Sequence, residues 1–172
     1  LPFMVLATQN PIEQEGVYLL PEAQRDRFLM RVPVDYPTLT EEHEIARRSS
    51  MPSRTPQQVL SLDELVALQL QANALPVPDA VQDYAVRLVM ATRNPREFGF
   101  DSLDGWLSFG ASPRATIGLL AAGRGLALMR KHSVVQVQDI YDIAYDVLNH
   151  RLVLSWDAVP RGASVDEFIV AL

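Results

Sequence analysis

"ATQNPIEQEGVYLLPEAQRDRF", residues Ala7–Phe28, sets an apolar run against a sharp polar break and then crowds two arginines around an aspartate. The run it completes, Phe3 to Thr8, is continuously hydrophobic, the pattern of a strand buried on both faces. Asn10-Pro11 ends that run. Pro21 then opens a brief helix, Glu22 to Arg27, at the position proline favours. Phe28 to Val34 predicts a second strand, closed by "DYP". A sheet of only two strands is marginal, so the expectation is a chain that begins partway through a larger α/β domain.

Downstream of Pro37 the pattern turns helical. Thr38 with Glu41, and Ser61 with Glu64, have the spacing of capping boxes, each predicting a helix start. From Asp79 the set Val81, Tyr84, Ala85, Leu88 and Val89 follows the i, i+3, i+4, i+7, i+8 spacing of an amphipathic helix. Thr92–Ser112 is polar and glycine-bearing, long enough as a loop to suggest a role. Within it Trp106 and Phe109 are expected to anchor the loop to the core. Ser112 and Pro113 predict the cap and first position of a helix running to about Arg130. That helix holds Gly118, Gly123 and Gly125, which cost helix stability and so imply close helix packing. A further helix is predicted over Gln138 to His150, and "SVDEFIVAL" as a short helix or strand.

Composition narrows the chemistry. There is no cysteine, so disulfides and thiolate metal sites are excluded, and His43, His132 and His150 are too scattered for a zinc site. The net charge of −6 disfavours broad capture of nucleic acid. No apolar run is long enough for a membrane span, and the first residues lack the basic region of a signal peptide. Of 15 Lys and Arg residues only Lys131 is a lysine, and it follows "LALMR" rather than a glycine-rich turn. The chain therefore carries no P-loop of its own.

Three features could contact a phosphate. Asn10 stands at the carboxyl end of a predicted strand, where open α/β sheets bind ligands. Taken alone, Asn-Pro reads more readily as turn chemistry. Arg25 and Arg27 end a short helix, where cations complement the dipole; the functional alternative is an arginine reaching a neighbouring subunit's phosphate. Arg114, in "GASPRA", sits at a helix N-terminus that disfavours an unpaired cation unless an anion is near. Pairing with Asp101 or Asp104 is the alternative. Glu13 and Glu15 read as a solvated loop, and Arg47–Arg48 as a solvated helix face.

In combination, "ATQNPIEQEGVYLLPEAQRDRF", "DYP", "ATRNP", "GASPRA" and "QVQDIYDIAYDVLNHRL" resemble the C-terminal portion of the MoxR family of AAA+ ATPases, over about residues 3 to 153. The resemblance implies a mainly α fold with a small α/β part. About two strands of an AAA+ α/β core, residues 1–37, would be followed by a helical lid bundle, 38–155, and a tail, 156–172. It further implies that Asn10 is the sensor 1 residue placing the attacking water, and that Arg27 is an arginine finger acting in trans. Arg114 would be sensor 2, reaching the nucleotide of its own subunit, and Tyr36 would lie near the adenine at the core–lid junction. ATP with Mg²⁺ is the implied substrate and metal, with Walker A and B segments outside these residues. Implied partners are further copies in a ring, commonly a hexamer, a von Willebrand factor A domain protein, and a client protein matured by a cytoplasmic chaperone-like machine.

Three positions depart from the family pattern. Arg25 stands where leucine is more usual, Lys131-His132 where Gly-Arg is usual, and the approach to "GASPRA" is longer. Two rivals stay open on these residues: a related AAA+ motor of the magnesium-chelatase or helicase kind, and a stand-alone helical interaction module.

Overall fold

The computed structural model describes residues 3–9, 20–52 and 55–172. Its helices are α1 (Glu22–Arg25), α2 (Leu39–Ser49), α3 (Leu62–Ala74), α4 (Asp79–Ala91), α5 (Pro113–Met129), α6 (Val137–Leu148) and α7 (Val165–Ala171). Both capping boxes form: Thr38 Oγ1 and Ser61 Oγ each accept the N–H three residues on, while Glu41 and Glu64 return to the cap. Ser112 caps α5 and Ser164 caps α7, which makes the tail a helix.

The core lies between α4, α5 and α6. Val81, Ala85 and Val89 of α4 meet Ala115 and Leu119 of α5 and Ile140 and Val147 of α6. Phe168 of α7 is fully buried against this cluster and stands 6.4 Å from the Trp106 ring. Trp106 is thus the anchor expected of it, whereas Phe109 is exposed. Close packing of α5 on α6 holds at two of the three glycines. A Cβ on Gly123 would lie 2.6 Å from Ile140 Cδ1 and one on Gly118 3.3 Å from Val147 Cγ1, but Gly125 faces open space.

The strands are not where the sequence placed them. Phe3–Gln9 and Phe28–Val34 carry no strand among the described residues, and Phe3 is 89% exposed. An apolar run becomes a strand only when a neighbour completes its ladder, and among the described residues neither run has one. Among the described residues the two strands that form are β1 (Leu107–Phe109), inside the predicted loop, and β2 (Val153–Leu154), paired antiparallel. The rest of that loop is two 3₁₀ turns, Pro95–Phe98 and Asp101–Leu103.

Two distant motifs fix the start of α5. The Thr92 hydroxyl accepts the Ala111 N–H at 2.9 Å, and Arg93 Nε donates to the Ala111 carbonyl at 2.7 Å. A Cβ on Gly110 would sit 2.5 Å from the Thr92 carbonyl oxygen, so only glycine fits there. The "ATR" and "GASPRA" segments are therefore two halves of one backbone joint.

Helix α5 ends in a strained joint. His132 N–H bonds to the Ala127 carbonyl and Lys131 N–H to that of Leu128, at 2.9 and 3.0 Å, the Schellman arrangement. It puts Lys131 at φ 60°, the one non-glycine residue described with positive φ. This is the position where a glycine was the expected residue. Lys131→Gly should stabilise the protein by about 1 kcal/mol, because a left-handed side chain costs on the order of 1–2 kcal/mol and glycine's extra unfolded freedom offsets part of that gain. The thermal midpoint should rise by roughly 2–4 °C for a chain of this size. An unchanged or lowered midpoint would show that the joint carries no strain.

Next to that joint Asp139 is fully buried. Burial alone would raise its pKa. The Gln136 N–H, His132 and Arg130 outweigh that and hold it below the usual carboxylate value.

Candidate functional site

The segment after α1 is fastened to the helical bundle by one arginine. Arg151 follows α6, and its side chain is only 3% exposed. Its Nε donates to Asp26 Oδ1 at 3.1 Å. One terminal nitrogen donates to the carbonyls of Leu29, at 3.1 Å, and Val147. The other donates to those of Asp26, at 3.2 Å, and Phe28, at 2.6 Å. Burial disfavours the Arg151 charge and the Asp26 carboxylate supports it. Ser112, the α5 cap, donates to both Asp26 oxygens at 2.9 Å while accepting the Arg114 N–H at 3.2 Å. The adjacent Arg31 extends the seam: its N–H bonds to the Asp146 carbonyl at 2.9 Å, and its guanidinium to Asn149 at 2.7 Å. His150 lies 3.1 Å from the Phe28 carbonyl through Nε2, and burial pulls its pKa down, favouring the neutral ring.

This clamp creates an open cleft of about 430 Å³ between the segment and α5. Asp26, Arg27, Leu29, Arg114, Ile117 and Arg151 are among its lining residues. Among the described residues Asp26 is the only acid lining it, and its oxygens are taken by Ser112 and Arg151. Arg27 and Arg114 form no ion pair with a described residue. Of the two acids suspected of pairing with Arg114, Asp104 binds Arg96 at 3.0 Å instead, and Asp101 forms no ion pair among the described residues. A chain of net charge −6 thus presents to one cleft two guanidinium groups that no described acid pairs with. Planar, always-charged forks of this kind suit the oxygens of a polyphosphate.

The remaining candidates are placed elsewhere. Asn10, Glu13 and Glu15 lie outside the described residues. Tyr36 is 84% exposed and lines a separate open hollow of about 490 Å³ with Asp35, Pro37, Thr38, Glu41 and Ile45. No residue lines both hollows, so Tyr36 and Arg114 are not brought together. Arg25 is half-buried with its Nε unpaired, while Arg47 and Arg48 are exposed and pair with Glu44. Among the described residues no group of three His, Asp or Glu side chains could hold a metal ion. No helix among them is long and apolar enough to cross a membrane.

Asp26 and Arg151 had no site role in the sequence reading, and Ser112 was read only as a helix cap. Asp26 and Arg151 stood inside quoted motifs, "DRF" and "NHRL", but an acid and a base 125 residues apart give no sequence sign of pairing.

The chain is similar to several known proteins. Residues 1–30 match the model of the ATPase family associated with various cellular activities, AAA, and residues 106–170 match the AAA lid domain. Chaperone MoxR1 of Mycobacterium tuberculosis is 51% identical, over 92% of this chain and 42% of its own. An uncharacterized Bacillus subtilis protein, YeaC, is 33% identical over 98% of this chain and 50% of its own. The protein MoxR of Paracoccus denitrificans is 31% identical over 91% and 50%. The crystal structure of a candidate ATPase from Cytophaga hutchinsonii superposes with a TM-score of 0.92 at 38% identity, covering 98% of this chain and 52% of that one. The chain thus spans about half the length of the relatives it matches.

Proposed function

The chain belongs to the MoxR family of AAA+ ATPases, and from that membership we propose that it supplies the lid and the phosphate-facing arginines of a ring-shaped ATPase. In this reading residues 1–37 are part of the α/β core, 38–155 the lid, and 156–172 a tail docked on the lid through Phe168. Copies assemble into a ring, a hexamer by family habit, in the cytoplasm. A protein with a von Willebrand factor A domain and a client complex are the partners, the client being matured in a chaperone-like way.

The observation that carries this reading is the cleft lined by two arginines that form no ion pair among the described residues, beside the Arg151–Asp26 clamp. In ATP hydrolysis a water attacks the γ-phosphorus, the bond to the β,γ-bridging oxygen breaks, and ADP and phosphate leave. Little covalent work falls to the protein, so positioning and charge stabilisation dominate. Arg27 and Arg114 donate to phosphate oxygens as charge shifts among them. Asn10 orients the attacking water. Mg²⁺ would supply neutralisation of the phosphate charge, and among the described residues no group of three His, Asp or Glu side chains would hold it.

Purified by itself, the 172-residue chain is expected to show no magnesium-dependent ATP turnover, since it has no P-loop lysine. The longer protein that contains it is expected to turn ATP over. Turnover by the chain alone, or none by the longer protein, would overturn the assignment.

A further inference from the structure

We propose that the C-terminal helix α7 positions the segment that carries Arg27, through a relay from Asp166 to the Asn149 amide and on to Arg31. This rests on the reading above that Arg27 serves ATP turnover. It makes Asn149 and Asp166 positioning residues, which act on that segment without touching nucleotide.

The relay turns on one buried amide. Asn149, directly after α6, is 8% exposed. Its Oδ1 accepts from the Arg31 guanidinium at 2.7 Å, and its Nδ2 donates to Asp166 Oδ1 at 3.2 Å. A guanidinium only donates and an ionised carboxylate only accepts, so the amide can face one way only. Among the described residues Arg31 and Asp166 form no direct ion pair, and the amide is what joins them. Tyr145 donates to the same Asp166 oxygen at 2.8 Å. Phe168, two residues on, is fully buried beside Trp106. Helix α7 is thereby seated on the bundle, with Asp166 as the fixed end of the relay.

Arg31, at the other end, follows Arg27 by four residues. Arg151 holds the carbonyls of residues 26, 28 and 29. One side chain gripping one short stretch leaves the chain free to pivot about it. Arg31 supplies the second anchorage, its N–H on the Asp146 carbonyl at 2.9 Å and its guanidinium on Asn149. Together the two anchors fix the direction in which Arg27 projects, and the second depends on α7. Neither Asn149 nor Asp166 lines the cleft, so a change at either reaches Arg27 only through Arg31.

The polarity of the relay supplies its test. Asn149→Asp keeps an acceptor for Arg31 but sets a carboxylate against Asp166, and two like charges so close repel. Tyr145 and Phe168 hold α7 in place, so the side chain at 149 turns away and takes Arg31 with it. Asp166→Asn alone still offers an oxygen to Asn149. The combined N149D/D166N variant again sets a donor against an acceptor, with the two roles exchanged. In the longer protein, ATP turnover and amide hydrogen exchange over residues 27–32 are measured for these three variants and for R27A. N149D should lower kcat on the order of tenfold with KM for ATP unchanged, and speed exchange of the Arg31 amide by roughly tenfold. D166N should stay near wild type, and N149D/D166N should regain most of the rate and the protection. Asp166→Ala tests the link from the exposed α7 side should N149D assemble poorly, and should lower kcat in the same direction. Wild-type kcat in N149D and D166A beside a slow R27A would overturn the positioning role and leave the finger reading standing. A double variant as slow as N149D would overturn it too, because the bonds would not be the cause. R27A at the wild-type rate would overturn the finger reading and this proposal with it.

Discussion

Arg27→Ala in the longer protein is expected to slow ATP turnover by about 10³–10⁵-fold while leaving nucleotide affinity nearly unchanged. The asymmetry follows from where the charge is needed. An arginine approaching from another subunit adds most when charge redistributes in the transition state, and adds less to the ground-state complex held by the P-loop. The substitution should also be silent in the fold. Arg27 is exposed and makes no ion pair with a described residue, so its loss leaves no buried group unsatisfied. Steady-state kinetics, nucleotide binding and the thermal midpoint, measured together, separate these effects. A lower kcat with unchanged binding and midpoint supports the finger role. An equal loss of binding would mean that Arg27 holds the nucleotide in its ground state. Arg27→Lys should recover only part of the rate, because a single ammonium cannot bridge two oxygens as the guanidinium fork does.

Arg151→Ala should be the most damaging single change to the fold, costing about 3–5 kcal/mol, the usual penalty for breaking a buried ion pair from one side. At this chain length that corresponds to a midpoint lowered by roughly 10 °C. The reason is the number of groups left behind. The carbonyls of Asp26, Phe28, Leu29 and Val147 lose their arginine donor, and the Asp26 carboxylate loses its cation. Arg151→Lys keeps the charge but offers one nitrogen where three were used, so most of the loss should remain. Because the clamp aims the Arg27 segment, the longer protein should also lose turnover at temperatures where it stays folded and assembled. Unaltered stability would show that the segment is held by its apolar contacts, such as Met30 against the core, and not by Arg151.

The local features of the molecule were legible because their causes are local. Thr38 with Glu41 and Ser61 with Glu64 satisfy orphan N–H groups within one turn, so the spacing alone predicts the joint. Ser112-Pro113 marks a helix start for the same reason, and the stripe from Val81 to Val89 marks a buried face. Even the departure at Lys131-His132 was informative, since the structure needs a left-handed residue there. The block from Ala7 to Phe28, together with "GASPRA", was enough to indicate the family.

Everything that depends on a distant partner was out of reach. Phe3–Thr8 and Phe28–Val34 have strand-like composition, yet a strand is a pairing and neither has a partner among the described residues. Short β1 and β2 pair across more than forty residues, with little composition to announce them. Only the tertiary structure decided that Arg151 folds back onto Asp26, because a buried guanidinium goes wherever carbonyls and a carboxylate converge. That convergence brings Arg27 and Arg114 to one cleft. The sequence by itself determined which side chains could meet a phosphate; packing of the bundle decided that two of them line one cleft.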